Sequence, residues 1–379
     1  MLRDSASLAE ARLTMRWPWQ RKSSGDQLVV SWSGHTLAYV LARARQDGTY
    51  EVLKLGVERQ GTDSTDVFVQ RLQALGLKGF EARIMLRPEQ YKLLQIDTPA
   101  VPPEELRSAA RYQIRDMIHT HIDDVTLDVM RVGDDQQKGK GHLFVVAATN
   151  AVVREVLDLG DTMHWSVSVI DIQETAQRNL QNALAARDGR AERANAALVL
   201  VAGQKAVLTI SANEELFYTR SFDLPEDFFE AAWEQGRVVS VMDALDAAAF
   251  TPVEDYVPDY NGERNAYGHD YSGTQPGERS APSGVSMHDA SAQRFLVEVQ
   301  RSLDVWDRTW STMPLHGLRV YAGERSEELA QWLAAQLGQA VVALDITAWF
   351  PGGEEATADG QALCLPLLGV LMRTESRKL

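Results

Sequence analysis

The sequence has only one cysteine, and its basic residues are fewer than its acidic ones. Cys364 alone can form neither an internal disulfide nor a thiolate metal cluster, and the apolar run around it predicts a buried, inert thiol in a reducing compartment. The formal net charge is −15, which disfavours a broad basic face that neutralises phosphates. We therefore expect no nucleic-acid partner.

Long apolar runs are also missing. The two longest, Ala194–Gly203 and Ala362–Met372, are shorter than the roughly 20 residues that a membrane-spanning helix needs. The first ten residues contain no apolar core of the kind found in signal peptides. We expect a cytoplasmic protein that has no transmembrane segment and is not exported.

Signatures of catalysis and metal binding are equally scarce. The sequence contains no Ser-His-Asp or Cys-His arrangement and no glycine-rich Walker motif. His119 and His121, followed by Asp123 and Asp124, are donor types that transition metals accept. A solvated connection between a helix and a strand explains these four residues better, so we expect no metal site and no catalytic residues.

What the sequence does contain is a repeated order of elements. In each half, the pattern of apolar and turn residues predicts three strands joined by turns, followed by a helix, a strand, a helix, a strand and a helix. The predicted elements are 28–32, 37–44, 50–57, 63–75, 82–86, 151–159, 167–171 and 173–185 in the first half, and 197–201, 206–211, 215–222, 292–310, 318–321, 326–337, 340–345 and 362–372 in the second. The sequence therefore predicts an α/β protein that duplicates one β-β-β-α-β-α-β-α unit.

Two stretches interrupt the two halves, which we place at 27–190 and 191–379 after a tail at 1–26. Residues 88–149 contain a strand, a helix at about 104–118 and two further strands, which predicts a small α+β subdomain inserted in the first half. Residues 251–289 are rich in Gly, Pro, Ser, Asp and Tyr and have almost no aliphatic side chains. Such a segment buries too little to offset chain entropy and predicts a flexible insertion.

The tail carries a basic and aromatic segment. Tryptophan rings prefer the membrane interface, and nearby cations are attracted to anionic headgroups. One interpretation is therefore contact with a membrane surface, and the other is a disordered tail with incidental tryptophans. The residues of the proposed membrane contact are Arg16, Trp17, Trp19, Arg21 and Lys22.

Six short stretches stand in an order and spacing that carry a family resemblance: Pro102–Ile114, Ile122–Val129, Val169–Ala176, Phe295–Leu303, Ala330–Val341 and Pro366–Arg373. Together with the duplicated plan, they resemble the PilM/MshI type of type IV pilus biogenesis protein, and MshI of the mannose-sensitive haemagglutinin (MSHA) pilus more than PilM itself. The resemblance implies the duplicated fold of the actin, Hsp70 and sugar-kinase superfamily, in which a nucleotide sits in the cleft between halves.

The resemblance also implies two phosphate loops and an adenosine loop, and all three depart from the family pattern. The first loop begins with Ser31 where the family has aspartate, and the second has Leu200 at its acidic position. The adenosine loop keeps a single glycine. We therefore expect a degenerate cleft without a cofactor, and ATP binding is the alternative. The cleft residues are Ser31, Ser33, Gly34, Gly203, Gln204, Glu298, Gly323 and Glu324.

For function, the resemblance implies a non-catalytic scaffold at the periphery of the inner membrane. It would bind the N-terminal cytoplasmic tail of a single-pass, PilN-like pilus assembly protein and link it to an assembly ATPase. One alternative is an active actin-like ATPase or kinase, which Ser31 and Leu200 disfavour. The other is the cytoplasmic actin-like component of type II secretion, which normally continues into a membrane helix.

The partner groove of PilM-like proteins lies between the inserted subdomain and the first half. On the helix at 104–118 each residue turns by about 100°, which predicts an apolar stripe that packs on the subdomain's own strands and a second, more polar face. The stripe consists of Leu106, Ala110, Ile114 and Met117, and the other face of Tyr112, Arg115 and Asp116. We predict that the latter three contact the partner, and the alternative for Tyr112 is packing against the first half.

Overall fold

The computed structural model describes residues 25–132, 141–201, 205–225, 228, 233, 287–346, 350 and 358–373. The strands are β1 (Asp26–Ser33), β2 (Thr36–Ala44), β3 (Tyr50–Arg59), β4 (Glu81–Leu86), β5 (Tyr91–Asp97), β6 (Val125–Val132), β7 (His142–Thr149), β8 (Ser166–Ile172), β9 (Ala194–Val201), β10 (Lys205–Ala212), β11 (Glu215–Asp223), β12 (Leu315–Tyr321) and β13 (Val341–Ala343). The helices are α1 (Thr65–Ala74), α2 (Leu106–Ile114), α3 (Asn150–Thr162), α4 (Gln173–Arg187), α5 (Met287–Thr309), α6 (Ser326–Leu337) and α7 (Ala358–Leu371).

The two halves contain five-stranded sheets with the same strand order. The first runs β3-β2-β1-β4-β8 and the second β11-β10-β9-β12-β13. In each sheet a three-strand antiparallel meander is followed by two strands that pair in parallel. The turn between β2 and β3 is favoured by its residues, because Gly48 adopts φ 81 and the Asp47 carboxylate accepts from the amide of Thr49 at 2.9 Å. The predicted duplication is confirmed.

The last helix of each half covers the sheet of the other half. Helix α4 packs on β9, β10 and β11, whereas α7 packs on β1, β2 and β3. The two helices cross at Gly369, where a Cβ atom would lie 2.7 Å from the carbonyl carbon of Ala176 and closer still to its oxygen. Only glycine allows this approach, and the Asn179 side-chain amide donates to the Gly369 carbonyl at 3.0 Å.

The inserted subdomain is an antiparallel sheet of order β5-β7-β6 with α2 on one face. Its own core contains Leu106, Ala110 and Ile114, as predicted. The other face is not solvated, since Val132 and Phe144 join the core of the second half, and Tyr91 joins that of the first. The subdomain therefore bridges both halves.

Three predicted boundaries need correction. Helix α2 ends at Ile114, after which the chain turns and the Met117 amide donates to the Ile114 carbonyl at 2.9 Å. The 100° periodicity therefore stops before Met117, which is 46% exposed and not part of the stripe. Helix α5 begins at Met287, so the last residues of the 251–289 segment are helical, and α7 begins at Ala358 rather than 362.

Helices long and apolar enough to cross a bilayer were not found within the described ranges. Residues 1–24, which contain the proposed membrane contact from Arg16 to Lys22, lie outside those ranges, as do residues 251–286 of the predicted flexible insertion.

Candidate partner groove and nucleotide cleft

A groove lies where the inserted subdomain meets the two halves, around a cavity of about 240 Å³. Four consecutive residues of β6 and three consecutive residues of β8 line it. Because successive side chains of a strand point to opposite faces, such consecutive lining means that the strand edges face the cavity. Both are terminal strands of their sheets. The lining residues are Asp128, Val129, Met130, Arg131, Val146, Ile170, Asp171, Ile172, Thr175, Arg178, Glu215, Leu216 and Arg373.

The floor of the groove is held by a buried carboxylate at the start of α4. Asp171 is 3% exposed, and Arg373 approaches its Oδ2 atom with a guanidinium nitrogen at 2.8 Å. The other oxygen, Oδ1, accepts from the Thr175 hydroxyl and, at 3.0 Å, from the Ile172 amide. A buried carboxylate needs such partners, so Asp171 organises the floor of the groove.

A second buried carboxylate ties α4 to the inserted subdomain. The Tyr91 hydroxyl, on β5, donates to Oε2 of Glu174, and both residues are buried. Burial raises the pKa of Glu174 from 4.5 to about 7, an effect that the Tyr91 hydrogen bond opposes and the Asp171 charge reinforces. This pair connects the first strand of the subdomain to the helix below the groove.

The hairpin expected to form the first phosphate loop is closed around an arginine. Ser31 is fully buried, and its hydroxyl accepts from Nε of Arg87 at 3.1 Å. The Arg87 Nη2 atom also donates to the carbonyls of Ser31 at 3.3 Å and Thr36 at 3.0 Å. A phosphate loop presents backbone amides to its ligand, whereas these carbonyl oxygens face the cation.

Further hydrogen bonds tie the same hairpin to the connection after β4. The Ser33 hydroxyl donates to Glu89 at 2.9 Å, and the Gln90 side chain donates to the Trp32 carbonyl at 2.8 Å. Gly34 adopts φ 55 in the turn itself. The hairpin is therefore held by side chains of the connection after β4.

Most of the cleft residues predicted in the second half lie within the described ranges. Leu200 is buried in the apolar core of that half, so its side chain does not line a cleft. Glu298 forms ion pairs with Arg220 and, at 3.2 Å, with Arg301. Gly323 adopts φ 61 and begins the turn into α6, beside the exposed Glu324. The predicted cleft residues Gly203 and Gln204 lie outside the described ranges.

The structure does not bring the predicted partner residues to the groove. Tyr112 is 77% exposed on α2 and does not pack against the first half, so that alternative is wrong. Arg115 and Asp116 form an exposed ion pair with each other at 3.2 Å beyond the end of α2. The cavity described above is lined by β6 and β8 and not by these three residues. Sequence reasoning also missed Arg87, although a charged residue directly after a buried parallel strand is a recognisable signal for the carboxyl edge of such a sheet.

Within the described part of the chain, clusters of three or more metal-ligating side chains are absent. His121 instead accepts from the Asp123 amide at 3.4 Å, at the start of a single 3-10 turn.

No family model and no curated protein matches the sequence. Among solved structures, a chain of the PilM-PilN type IV pilus biogenesis complex matches 92% of this chain and 98% of its own length, with a TM-score of 0.60 and 15% identity. The cytoplasmic domain of EpsL, an inner membrane component of the type II secretion system of Vibrio cholerae, covers 71% of this chain and 94% of its own length (TM-score 0.38, 16% identity). A Bacteroides thetaiotaomicron protein with an actin-like ATPase fold and unknown function covers 90% and 95% (TM-score 0.42, 8% identity).

The similarity to the chain of the PilM-PilN complex and the repeated strand order define the class: the chain has a duplicated actin-like fold with an inserted subdomain. Within that class, it shares its architecture over nearly its whole length with a chain of the PilM-PilN complex. At this level of identity the likeness concerns the fold.

Proposed function

We propose that this chain is a non-catalytic scaffold of type IV pilus biogenesis, of an MSHA-like system, that binds the cytoplasmic tail of a PilN-like inner-membrane protein. It would act in the cytoplasm at the periphery of the inner membrane, with an assembly ATPase as a further partner. The observation that carries the proposal is the groove between β6 and β8, together with the structural likeness to a protein whose solved complex contains PilN.

The groove suits an extended peptide. A terminal strand presents unpaired backbone groups that a peptide can pair with as an added strand, while neighbouring pockets take alternate side chains. The cavity of about 240 Å³ is smaller than the roughly 300–1,000 Å³ typical of sites for drug-sized ligands. A peptide side chain fits such a volume better than a whole nucleotide does.

The lining combines apolar and charged side chains in a way that suits a short amphipathic segment. Met130, Val146 and Leu216 offer apolar contact at the inner side, and Ile170 remains 37% exposed on β8. Charged residues of both signs surround them, including Asp128, which pairs with Arg107 at 2.9 Å. The apolar contacts would supply affinity and the charges would set the direction of the tail.

The closed hairpin supports a role without ATP turnover. Magnesium and the attacking water need a carboxylate, and Ser31 supplies none. Arg87 uses its donors on the hairpin's own oxygens. An active ATPase of this fold would have to break these hydrogen bonds before phosphate could enter.

The test is a titration of the full chain with a synthetic peptide that corresponds to the N-terminal cytoplasmic tail of the PilN-like protein encoded by the same genome. Ile170→Asp places a charge in the groove, and we expect at least a tenfold loss of affinity by calorimetry. Val342→Asp is the matched control, because Val342 is also an exposed aliphatic residue on a terminal strand, 54% exposed on β13. Equal affinity of the two variants, or no binding by the wild type, would refute the groove.

Tyr112 provides a second surface to compare. Because Tyr112 is exposed, we expect Tyr112→Ala to change the free energy of unfolding by less than about 1 kcal/mol. If Tyr112→Ala weakens the tail and Ile170→Asp does not, the partner binds along α2 and the predicted residues Tyr112, Arg115 and Asp116 form the site.

A further inference from the structure

A cluster of arginines surrounds one histidine at the end of α4 opposite the groove. Arg187 ends the helix, Arg190 and Arg193 follow on the loop to β9, and His316 and Arg319 lie on the neighbouring strand β12. Helix α4 has 15 residues, so at 1.5 Å per residue the two ends are about 20 Å apart. The cluster is therefore separate from the groove.

The histidine is contacted by a guanidinium on each side of its ring. Arg190 Nη1 meets Nε2 of His316, and Arg193 Nη1 lies 3.5 Å from Nδ1. A neutral imidazole has only one acceptor nitrogen, and a guanidinium has only donors. At least one of the two contacts therefore sets a donor against a donor, and the arrangement lacks an acceptor.

The nearby acidic residues do not supply that acceptor. Asp188 accepts from Arg319 at 2.6 Å and lies 3.3 Å from Nε of Arg187. Glu192 lies on the same loop and is exposed. The cluster therefore contains four arginines and only two carboxylates, in a chain whose net charge is −15. Neighbouring guanidinium groups repel one another unless an anion lies between them.

Two ordinary structural roles explain only part of the cluster. Cations near a helix C-terminus stabilise its dipole, and Arg187 is placed for that role. Arg319 ties β12 to the end of α4 through Asp188 and reaches the Asn195 side chain at 3.4 Å. Neither role explains why Arg190 and Arg193 both point to His316.

We propose that Arg190, Arg193 and His316 form a binding site for a phosphate group. Planar guanidinium groups match phosphate oxygens with paired hydrogen bonds, and a phosphate between Arg190 and Arg193 would supply the missing acceptors. The phosphate can belong to a small soluble anion or to an anionic lipid headgroup, and the two sources share this chemistry.

The electrostatics of His316 provide an independent readout. Desolvation and the charges of Arg190, Arg193 and Arg319 lower the pKa of His316, and only Asp188 raises it. A bound phosphate would reverse the sign of the local field. The pKa of His316 should therefore rise when phosphate binds.

The experiment uses the full chain and inorganic phosphate at constant ionic strength, with the histidine proton resonances followed by NMR and His316 assigned through His316→Gln. We expect a saturable shift of the His316 signal and a higher pKa in phosphate than in chloride. Arg190→Gln/Arg193→Gln should weaken binding at least tenfold. Arg43→Gln/Arg45→Gln is the matched control, because it removes the same charge from two exposed arginines elsewhere.

Vesicles distinguish the source of the phosphate. The wild type and the three variants, His316→Gln, Arg190→Gln/Arg193→Gln and Arg43→Gln/Arg45→Gln, are sedimented with phosphatidylcholine vesicles that do or do not contain phosphatidic acid. Loss of vesicle binding in the Arg190/Arg193 variant alone supports a lipid headgroup, and saturable binding of inorganic phosphate without such a loss supports a soluble anion. The proposal is overturned if the variant and its control behave alike in both assays.

Discussion

The close crossing of α4 and α7 predicts that Gly369→Ala destabilises the protein. In a helix interior, alanine is favoured over glycine by about 1 kcal/mol. Here the added Cβ would lie 2.7 Å from the Ala176 carbonyl carbon, and a backbone group cannot rotate away as a side chain can. Overpacking of this kind costs about 1–3 kcal/mol, and separating the helices also weakens the Asn179–Gly369 hydrogen bond, which contributes about 1 kcal/mol. The steric clash outweighs the gain in helix propensity, and we expect the free energy of unfolding to fall by about 2 kcal/mol.

Urea unfolding measures this loss, and Gly160→Ala serves as the control. Gly160 is also a buried helical glycine, but its Cβ would lie 3.2 Å from a methyl group of Val167, which can shift by a few tenths of an ångström, and at an ordinary contact distance of 3.8 Å from the Trp165 ring. We expect Gly160→Ala to change the free energy of unfolding by less than about 1 kcal/mol. If Gly369→Ala is as stable as the wild type or as Gly160→Ala, the close helix crossing is not as described.

Three other outcomes test the fold and the site. The folded pKa of Glu174 is raised from 4.5 to about 7, so the stability that its protonated form contributes is fully present below pH 4.5 and is lost as the pH rises through 7. The free energy of unfolding of Glu174→Gln should therefore increase by up to about 3 kcal/mol relative to that of the wild type between pH 4.5 and 8. Parallel pH profiles of the two proteins would contradict this. Ile114→Ala should cost about 2–5 kcal/mol because Ile114 is fully buried, whereas Met117→Ala should cost less than about 1 kcal/mol because Met117 is 46% exposed. Calorimetry with magnesium ATP should give no saturable heat for the wild type or for Arg87→Gln, and micromolar binding by either would show that the hairpin opens.

Element order was predictable because each half alternates apolar patterns of two different periods. The meanders have strand-length apolar runs separated by turn residues such as Asp47-Gly48, and α5 has apolar side chains at helical spacing from Phe295 to Trp306. These signals are local. They located nearly all of the elements to within a few residues and revealed the duplication that defines the fold class.

The residues that line the groove could not be predicted from the sequence, because the groove is formed by the edges of two strands and not by the faces of helices or strands. A periodic pattern reports which face of an element is buried, and this is why the stripe of Leu106, Ala110 and Ile114 was predicted correctly. It does not report which strand ends a sheet. Only the sheet order shows that β6 and β8 are terminal strands opposite each other. Met117 was misplaced for the related reason that periodicity was extended beyond the end of the helix.

Helix α4 contacts both halves and the inserted subdomain through buried side chains. Gln177 donates to carbonyls of β9 and β10 at 2.8 and 2.9 Å, and Gln181 repeats the arrangement one turn later. On another side, Ala176 packs against Gly369, and Glu174 accepts from Tyr91. A rotation of one half against the other would leave several of these buried polar groups unpaired, at about 1–3 kcal/mol each. A groove whose walls come from both halves and the inserted subdomain would therefore have a constant shape. A rigid groove loses little entropy when it binds, which suits the proposed scaffold that holds one partner tail.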